Sequence, residues 1–174
     1  MTTLVDSQIT AWGFAGGLRP FVEDHINPAS VNLTIGTVAK VESPSGKLYE
    51  VDLSDCSAER PFLVDPGEFL LTHTAEVVTL GDMLEAEVCL RSSAARAGWN
   101  HALAGYVDPG WSGSLTLEFQ NIRRFQALPI YPGQQLVQLR LRRLPQPPVS
   151  HYGITGRYQG DQSVNGCQDF TIGG

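Results

Sequence analysis

Apolar and polar residues alternate with a period of two through much of this chain. Val31-Asn32-Leu33-Thr34-Ile35, Tyr49-Glu50-Val51-Asp52-Leu53, Leu115-Thr116-Leu117-Glu118-Phe119 and Val137-Gln138-Leu139-Arg140-Leu141-Arg142 all follow it. Successive side chains of a strand point to opposite faces, so this period predicts half-buried β-strands. The stretches are set off by Ser43-Pro44-Ser45-Gly46, Asp65-Pro66-Gly67, Asp108-Pro109-Gly110 and Tyr131-Pro132-Gly133. Proline presets φ and glycine tolerates positive φ, so each reads as a tight turn. Short strands joined this way predict a mainly β fold, an antiparallel sandwich or barrel. Helix is confined to two short stretches: Asp6 to Phe14, capped by Asp6 or Ser7, and Ser92 to Gly98, capped by Ser92 or Ser93 and stopped by Gly98. From Pro145 onward the chain is rich in Pro, Gly and Gln and poor in apolar residues, which predicts an arm that orders when something binds. No internal repeat is visible, so residues 1–174 read as one domain with a mobile C-terminal lid over about 146–174.

Composition narrows the function classes. With 174 residues and 42% hydrophobic content the chain is long enough to bury a core, and 18 Gly with 11 Pro favour many turns over long helices. The net charge of -6 argues against DNA or RNA as a partner, because nucleic-acid surfaces carry a basic excess. Ten of the twelve basic residues are Arg, whose planar fork suits phosphate and carboxylate. No apolar run approaches membrane-spanning length, and Met1 to Asp6 lacks a secretory pattern, so no membrane partner is expected. Cys56, Cys89 and Cys167 are odd in number and unpatterned, which predicts reduced thiols and a cytoplasmic location.

Candidate chemistry concentrates between residues 91 and 119. Arg91-Ser92-Ser93-Ala94-Ala95-Arg96, then Ala104-Gly105-Tyr106-Val107-Asp108-Pro109-Gly110-Trp111, then Leu117-Glu118-Phe119 gather two arginines, two hydroxyls and two carboxylates. Ser92 and Ser93 at a helix start suit an anion, or serve as a plain cap. Asp108 by itself is the first residue of a hairpin turn, and Glu118 by itself a solvent-facing carboxylate. His25, His73, His101 and His151 are scattered and no Cys pair has ligand spacing, so no zinc site is expected. Trp99 and Trp111 read as packing residues.

Taken together, these segments resemble the signature of dCTP deaminases in the dUTPase-related superfamily. Pro28-Ala29-Ser30, Pro66-Gly67-Glu68-Phe69-Leu70-Leu71-x-x-Thr74-x-Glu76, Tyr131-Pro132-Gly133-Gln134 and Arg157-Tyr158-Gln159-Gly160-Asp161-Gln162 extend the likeness along nearly the whole chain. Departures are Asn32 for the usual Asp, Leu90 for the common Gly, a segment from Gly98 to Ala104 one residue shorter, and Arg157 for a Lys with one extra residue before Gln162.

The resemblance implies a dUTPase-like distorted antiparallel β-barrel or jelly roll and a homotrimer with sites between subunits. It implies zinc-independent hydrolysis of dCTP to dUTP and ammonia. The alternatives are a bifunctional enzyme or a dUTPase giving dUMP and pyrophosphate, and a non-catalytic nucleotide-binding regulator. In the deaminase reading Glu118 shuttles protons, the Ser92 hydroxyl and Ala104 carbonyl hold the water, and Arg96 orients Glu118. Asp108 binds the deoxyribose hydroxyl, and the backbone from Ala102 to Ala104 reads the pyrimidine edge. Arg91, Ser93, Arg157, Tyr158 and Gln162 close on the phosphates, with Mg²⁺ entering on the triphosphate and dTTP as a further ligand, an inhibitor.

Overall fold

The computed structural model describes residues 2–102, 104–150 and 152–167. Its strands in chain order are β1 (Thr2–Thr3), β2 (Leu18–Arg19), β3 (Ile26–Asn27), β4 (Ser30–Leu33), β5 (Ile35–Glu42), β6 (Leu48–Asp52) and β7 (Phe62–Val64). They continue with β8 (Phe69–Thr79), β9 (Leu84–Leu90), β10 (Trp99–His101), β11 (Tyr106–Val107), β12 (Ser112–Asn121), β13 (Leu128–Ile130) and β14 (Val137–Arg143). Three short helices accompany them: α1 (Asp6–Trp12), α2 (Ser92–Ala97) and α3 (Tyr152–Thr155).

Pairing among the described residues is antiparallel and forms two six-stranded sheets. One runs β11-β9-β14-β4-β3 with β1 on β14; the other runs β10-β12-β8-β5-β6 with β2 on β8. β7 and β13 make a separate two-stranded ribbon. Val31, Leu33, Leu139 and Leu141 of the first sheet and Val41, Leu70, Leu117 and Phe119 of the second are fully buried in one cluster. The mainly β class expected from the period-two pattern therefore holds, with the alternating stretches mostly in strand and Val31 to Ile35 divided between β4 and β5 at Thr34. Two stretches depart from simple half-burial. β4 is buried on both faces, because Asn32 is satisfied inside: its amide accepts from Asn27 Nδ2 at 3.0 Å and donates to Gln135 Oε1 at 3.1 Å. β6 is largely exposed, because it ends its sheet and has a neighbour on one side only.

Both helix caps differ from expectation. Val5, not Asp6 or Ser7, caps α1, and its N–H donates to Gln8 Oε1 at 3.2 Å. Asp6 already lies in the first helical turn, and α1 runs on into a π-helical turn at Gly13–Gly17. Arg91, not Ser92 or Ser93, caps α2. The Arg91 N–H still donates to Leu136 O at 2.9 Å, so the extended conformation of β9 persists one residue further and both serines fall inside the helix. Gly98 stops α2 as expected, at φ 111° with its N–H on Ala94 O and Ala95 O.

One irregularity shapes the site. The register of β12 against β8 shifts between Ser114 and Thr116, a bulge that re-aims the strand. Thr74 Oγ1 accepts the Leu115 N–H there at 2.9 Å and donates to Glu76 O at 2.7 Å. The buried Glu76 carboxylate in turn accepts from Thr34 N at 3.0 Å and Thr34 Oγ1 at 2.8 Å. The Thr74-x-Glu76 motif thus anchors a bulge rather than carrying chemistry.

Candidate active site

A cavity of about 810 Å³ opens beside this bulge. Thr116 and Glu118 on β12 form one wall. The segment with Ala104, Tyr106 and Asp108 forms a second, and Tyr158 and Asp161 of the tail a third. The second wall depends on a close crossing. Gly105 O accepts the Val88 N–H at 2.6 Å, and a β-carbon at Gly105 would lie 2.3 Å from Val88 O, so only glycine lets this segment run against β9.

Glu118 is half-buried at the cavity wall. Its side chain is 24% exposed, and Oε2 is enclosed without a hydrogen-bond partner. Burial pushes its pKa up, partly offset by a backbone hydrogen bond. His101 Nε2 lies 3.8 Å from Oε2, but burial pushes that imidazole's pKa down. Both groups are driven toward their neutral forms, so the geometry describes a neutral ring beside a carboxyl group rather than an ion pair. Asp108 is also pushed up, first by burial and then by the charge of Glu85. Glu85 accepts a 2.9 Å hydrogen bond from Tyr106 Oη, whose pKa is pushed up to about 12 by burial and by that carboxylate. Two carboxyl groups with raised proton affinity thus line one cavity, an arrangement suited to general acid–base chemistry.

The residues expected to act together divide into two groups. Glu118, Asp108, Ala104 and Tyr158 line the cavity. Ser92, Ser93 and Arg96 are exposed on α2 and do not line it. Arg91 is engaged by Gln135, donating from one guanidinium nitrogen to the carbonyl at 3.0 Å and to Oε1 at 3.3 Å. Arg157 and Gln162 are exposed in the tail. Ala102 donates its N–H to Glu118 O at 3.2 Å, which commits one of the two backbone groups it has for reading a base. Between Ala102 and Ala104, Leu103 lies outside the described residues.

The tail clasps the Asp108 turn of its own chain. Tyr152 N donates to Pro109 O at 3.0 Å, Gly160 N to Ser112 O at 2.8 Å, and Ser114 N to Asp161 O at 2.7 Å. Gln159 adds bonds to Gly110 O and from Ser112 N, and Val164 is buried. At Gly113 a β-carbon would sit 2.8 Å from Asp161 O, so the contact depends on the missing side chain.

Several lining residues escape a reading of the sequence. Thr116 was not singled out, although its place two residues before Glu118 on the same strand face was a signal. Trp111 packs against Tyr152 with ring centroids 5.4 Å apart, as a packing residue should, and also lines the cavity. Lys47 reaches it from the β5–β6 turn, 71 residues before Glu118 in sequence, where no local signal exists.

Comparison with known proteins finds relatives for this chain. A family model described as dCTP deaminase-like matches residues 5–144. The chain is 34% identical over 174 residues to "dCTP deaminase, dUMP-forming" of Mycobacterium sp. (strain KMS), covering 91% of each chain. It is 36% identical over 186 residues to the protein of the same name from Parafrankia sp. (strain EAN1pec), covering 97% of this chain and 92% of that one. Among solved structures, the 2'-deoxycytidine 5'-triphosphate deaminase of Agrobacterium tumefaciens superposes with a TM-score of 0.68 at 23% identity, a likeness of fold. That match covers 83% of this chain and 49% of the other, so the chain spans about half its length. Among the described residues no helix is long and apolar enough to cross a membrane.

Proposed function

Because this chain belongs to the dCTP deaminase-like family, we propose that it hydrolyses dCTP to ammonia, dUMP and pyrophosphate, consuming two waters. The observation that carries the reading is the pair Glu118 and Asp108 lining one cavity, each with its proton affinity raised. Release of dUTP, the first choice from the sequence, gives way to the bifunctional alternative, since the Mycobacterium and Parafrankia relatives are named for forming dUMP.

In the first step ionised Glu118 takes a proton from the water that attacks C4. It passes that proton to N3, then takes the second from the hydroxyl now on C4 and gives it to the departing amino group as the C4–N bond breaks and the C4 carbonyl forms. The Ala104 carbonyl holds that water from the same chain. Ser92 and Arg96, which do not line the cavity of their own chain, act from α2 of a neighbouring subunit in a homotrimer, where Arg96 orients Glu118 and steadies the charge developing at C4. In the second step Asp108 takes a proton from water attacking the α-phosphorus, the bond to the bridging oxygen breaks, and pyrophosphate leaves. Before that step Asp108 holds the deoxyribose 3′-hydroxyl. Arg91, Ser93, Arg157, Tyr158 and Gln162 gather round the phosphates. Asp108 and Asp161 at the cavity offer oxygen, the ligand type that Mg²⁺ takes, but among the described residues no three acid, His or Cys side chains gather as a metal site. Mg²⁺ carried in on the triphosphate would screen its charge.

Incubation with dCTP and Mg²⁺ tests the reading: ammonia, dUMP and pyrophosphate are expected in equal amounts. Accumulating dUTP limits the enzyme to deamination, pyrophosphate from dUTP alone makes it a dUTPase, and binding without turnover makes it a regulator.

A pH dependence follows from the burial of Glu118. Its base form is lost as pH falls through a raised pKa, so the acid limb of the kcat profile is expected above the ordinary glutamate value of about 4.3. Stability runs the other way. A folded pKa above the unfolded one stabilises the fold at low pH, and the contribution is lost as pH rises through the folded value. A kcat profile flat down to about pH 4.3 contradicts the assignment.

The tail acts as the lid of a single domain over about 146–174, of which 151 and 168–174 lie outside the described residues. Truncation after Pro148 is expected to raise KM strongly or end turnover, and Gly113→Ala to raise KM by crowding Asp161. Steady-state kinetics of both check this, and unchanged values in the truncation refute the lid.

A further inference from the structure

The enclosed oxygen of Glu118 faces an enclosed nitrogen of His101, and neither has a hydrogen-bond partner. Buried polar atoms are nearly always satisfied, so two stranded ones 3.8 Å apart call for a reason. β10 pairs with β12 so that His101 lies opposite Phe119, and the ring's Nε2 comes within 3.8 Å of Oε2 on the preceding residue, Glu118. The imidazole rests edge-on against Phe119, with centroids 5.7 Å apart and planes at 67°. A histidine kept only for volume would be matched there by an apolar ring and would strand no nitrogen beside a carboxylate.

We propose that His101 is a positioning residue for Glu118: its neutral ring, with the hydrogen on Nε2, holds the Oε2 corner of the carboxylate and leaves the remainder to water and substrate. The proposal rests on the reading of Glu118 as the proton carrier. Contacts of this kind are often long before substrate binds and shorten in the complex. A neutral donor steadies the ionised carboxylate without creating a second buried charge, whereas an imidazolium would form a fixed ion pair and blunt the base. Burial keeps the ring in the neutral form that this role needs.

Two variants of the full-length protein separate positioning from packing. His101→Phe keeps an aromatic ring against Phe119 and removes the donor; His101→Gln keeps an N–H near the place of Nε2. Saturated dCTP turnover is expected to fall about tenfold or more in His101→Phe, the scale of one charge-assisted hydrogen bond, with KM and Tm little changed. His101→Gln should recover most of the loss. Equal kcat in wild type and His101→Phe, or a His101→Gln enzyme as slow as His101→Phe, overturns the proposal. A second measurement needs no turnover: nitrogen-15 NMR of the histidine rings should place the hydrogen of His101 on Nε2, with a resonance that moves in Glu118→Gln. Hydrogen on Nδ1, or a resonance indifferent to Glu118→Gln, overturns it even if His101→Phe does not fold. Wild-type protein that fails to deaminate dCTP counts against the deaminase reading instead, and the NMR result still decides the pairing.

Discussion

Glu118→Gln is expected to lose deamination of dCTP by about 10⁴-fold while nucleotide binding stays largely in place. Gln keeps the volume and a hydrogen-bond acceptor but carries no proton, so the exchange removes the acid–base step alone. General acid–base catalysis by one group is commonly worth about 10²–10⁴ in rate. Here the same carboxyl group serves as base to the water and as acid to N3 and the amine, which places the loss at the upper end. Its position supports the assignment: it lines the cavity and has one oxygen enclosed without a partner. A carboxylate on an open strand face would behave otherwise, costing about 0.5 kcal/mol of stability or less on exchange and leaving kcat alone. Ammonia release under saturating dCTP, with calorimetric dCTP binding and Tm as controls for folding, measures the effect. Near-wild-type turnover in Glu118→Gln removes the central residue of the mechanism.

Asp108→Asn is expected to uncouple the two reactions. Ammonia should still form, while dUTP accumulates and pyrophosphate release falls by about 10² or more, the lower range for loss of a general base. The turn itself should survive, because its closing hydrogen bond uses the backbone: Trp111 N donates to Asp108 O at 3.2 Å. Asn retains the side-chain volume and an acceptor for the sugar hydroxyl, so deamination has no reason to stop. Time-resolved separation of dCTP, dUTP and dUMP reads both steps at once. Undiminished dUMP formation denies Asp108 the role of base in the second step, and an equal fall in both products assigns it to binding the sugar alone.

The amino-acid sequence by itself determined the class of fold, the places of the turns and the family. Period-two stretches such as Leu115 to Phe119 became strands because side-chain alternation is a local property, set by backbone geometry before any distant contact forms. Gly98 ended its helix for an equally local reason, a positive φ of 111°. Glu118 and Asp108 could be singled out because they are the acids among apolar and turn residues in Leu115 to Phe119 and Asp108 to Gly113.

What the sequence left open depended on partners far along the chain. The serine caps failed because Leu136, more than forty residues later, keeps Arg91 extended. Whether Glu118 met solvent or a cavity was decided by the bulge at Leu115, held by Thr74 from β8. His101 read as one of four scattered histidines until the fold brought its Nε2 to 3.8 Å from Oε2. Desolvation raises the proton affinity of Glu118 and Asp108, and desolvation is a property of the packed surroundings rather than of any segment. Alternation names the residues a strand offers to each face, but only the assembled sheets decide which face loses its water, and there a carboxylate turns from a solvated charge into a base.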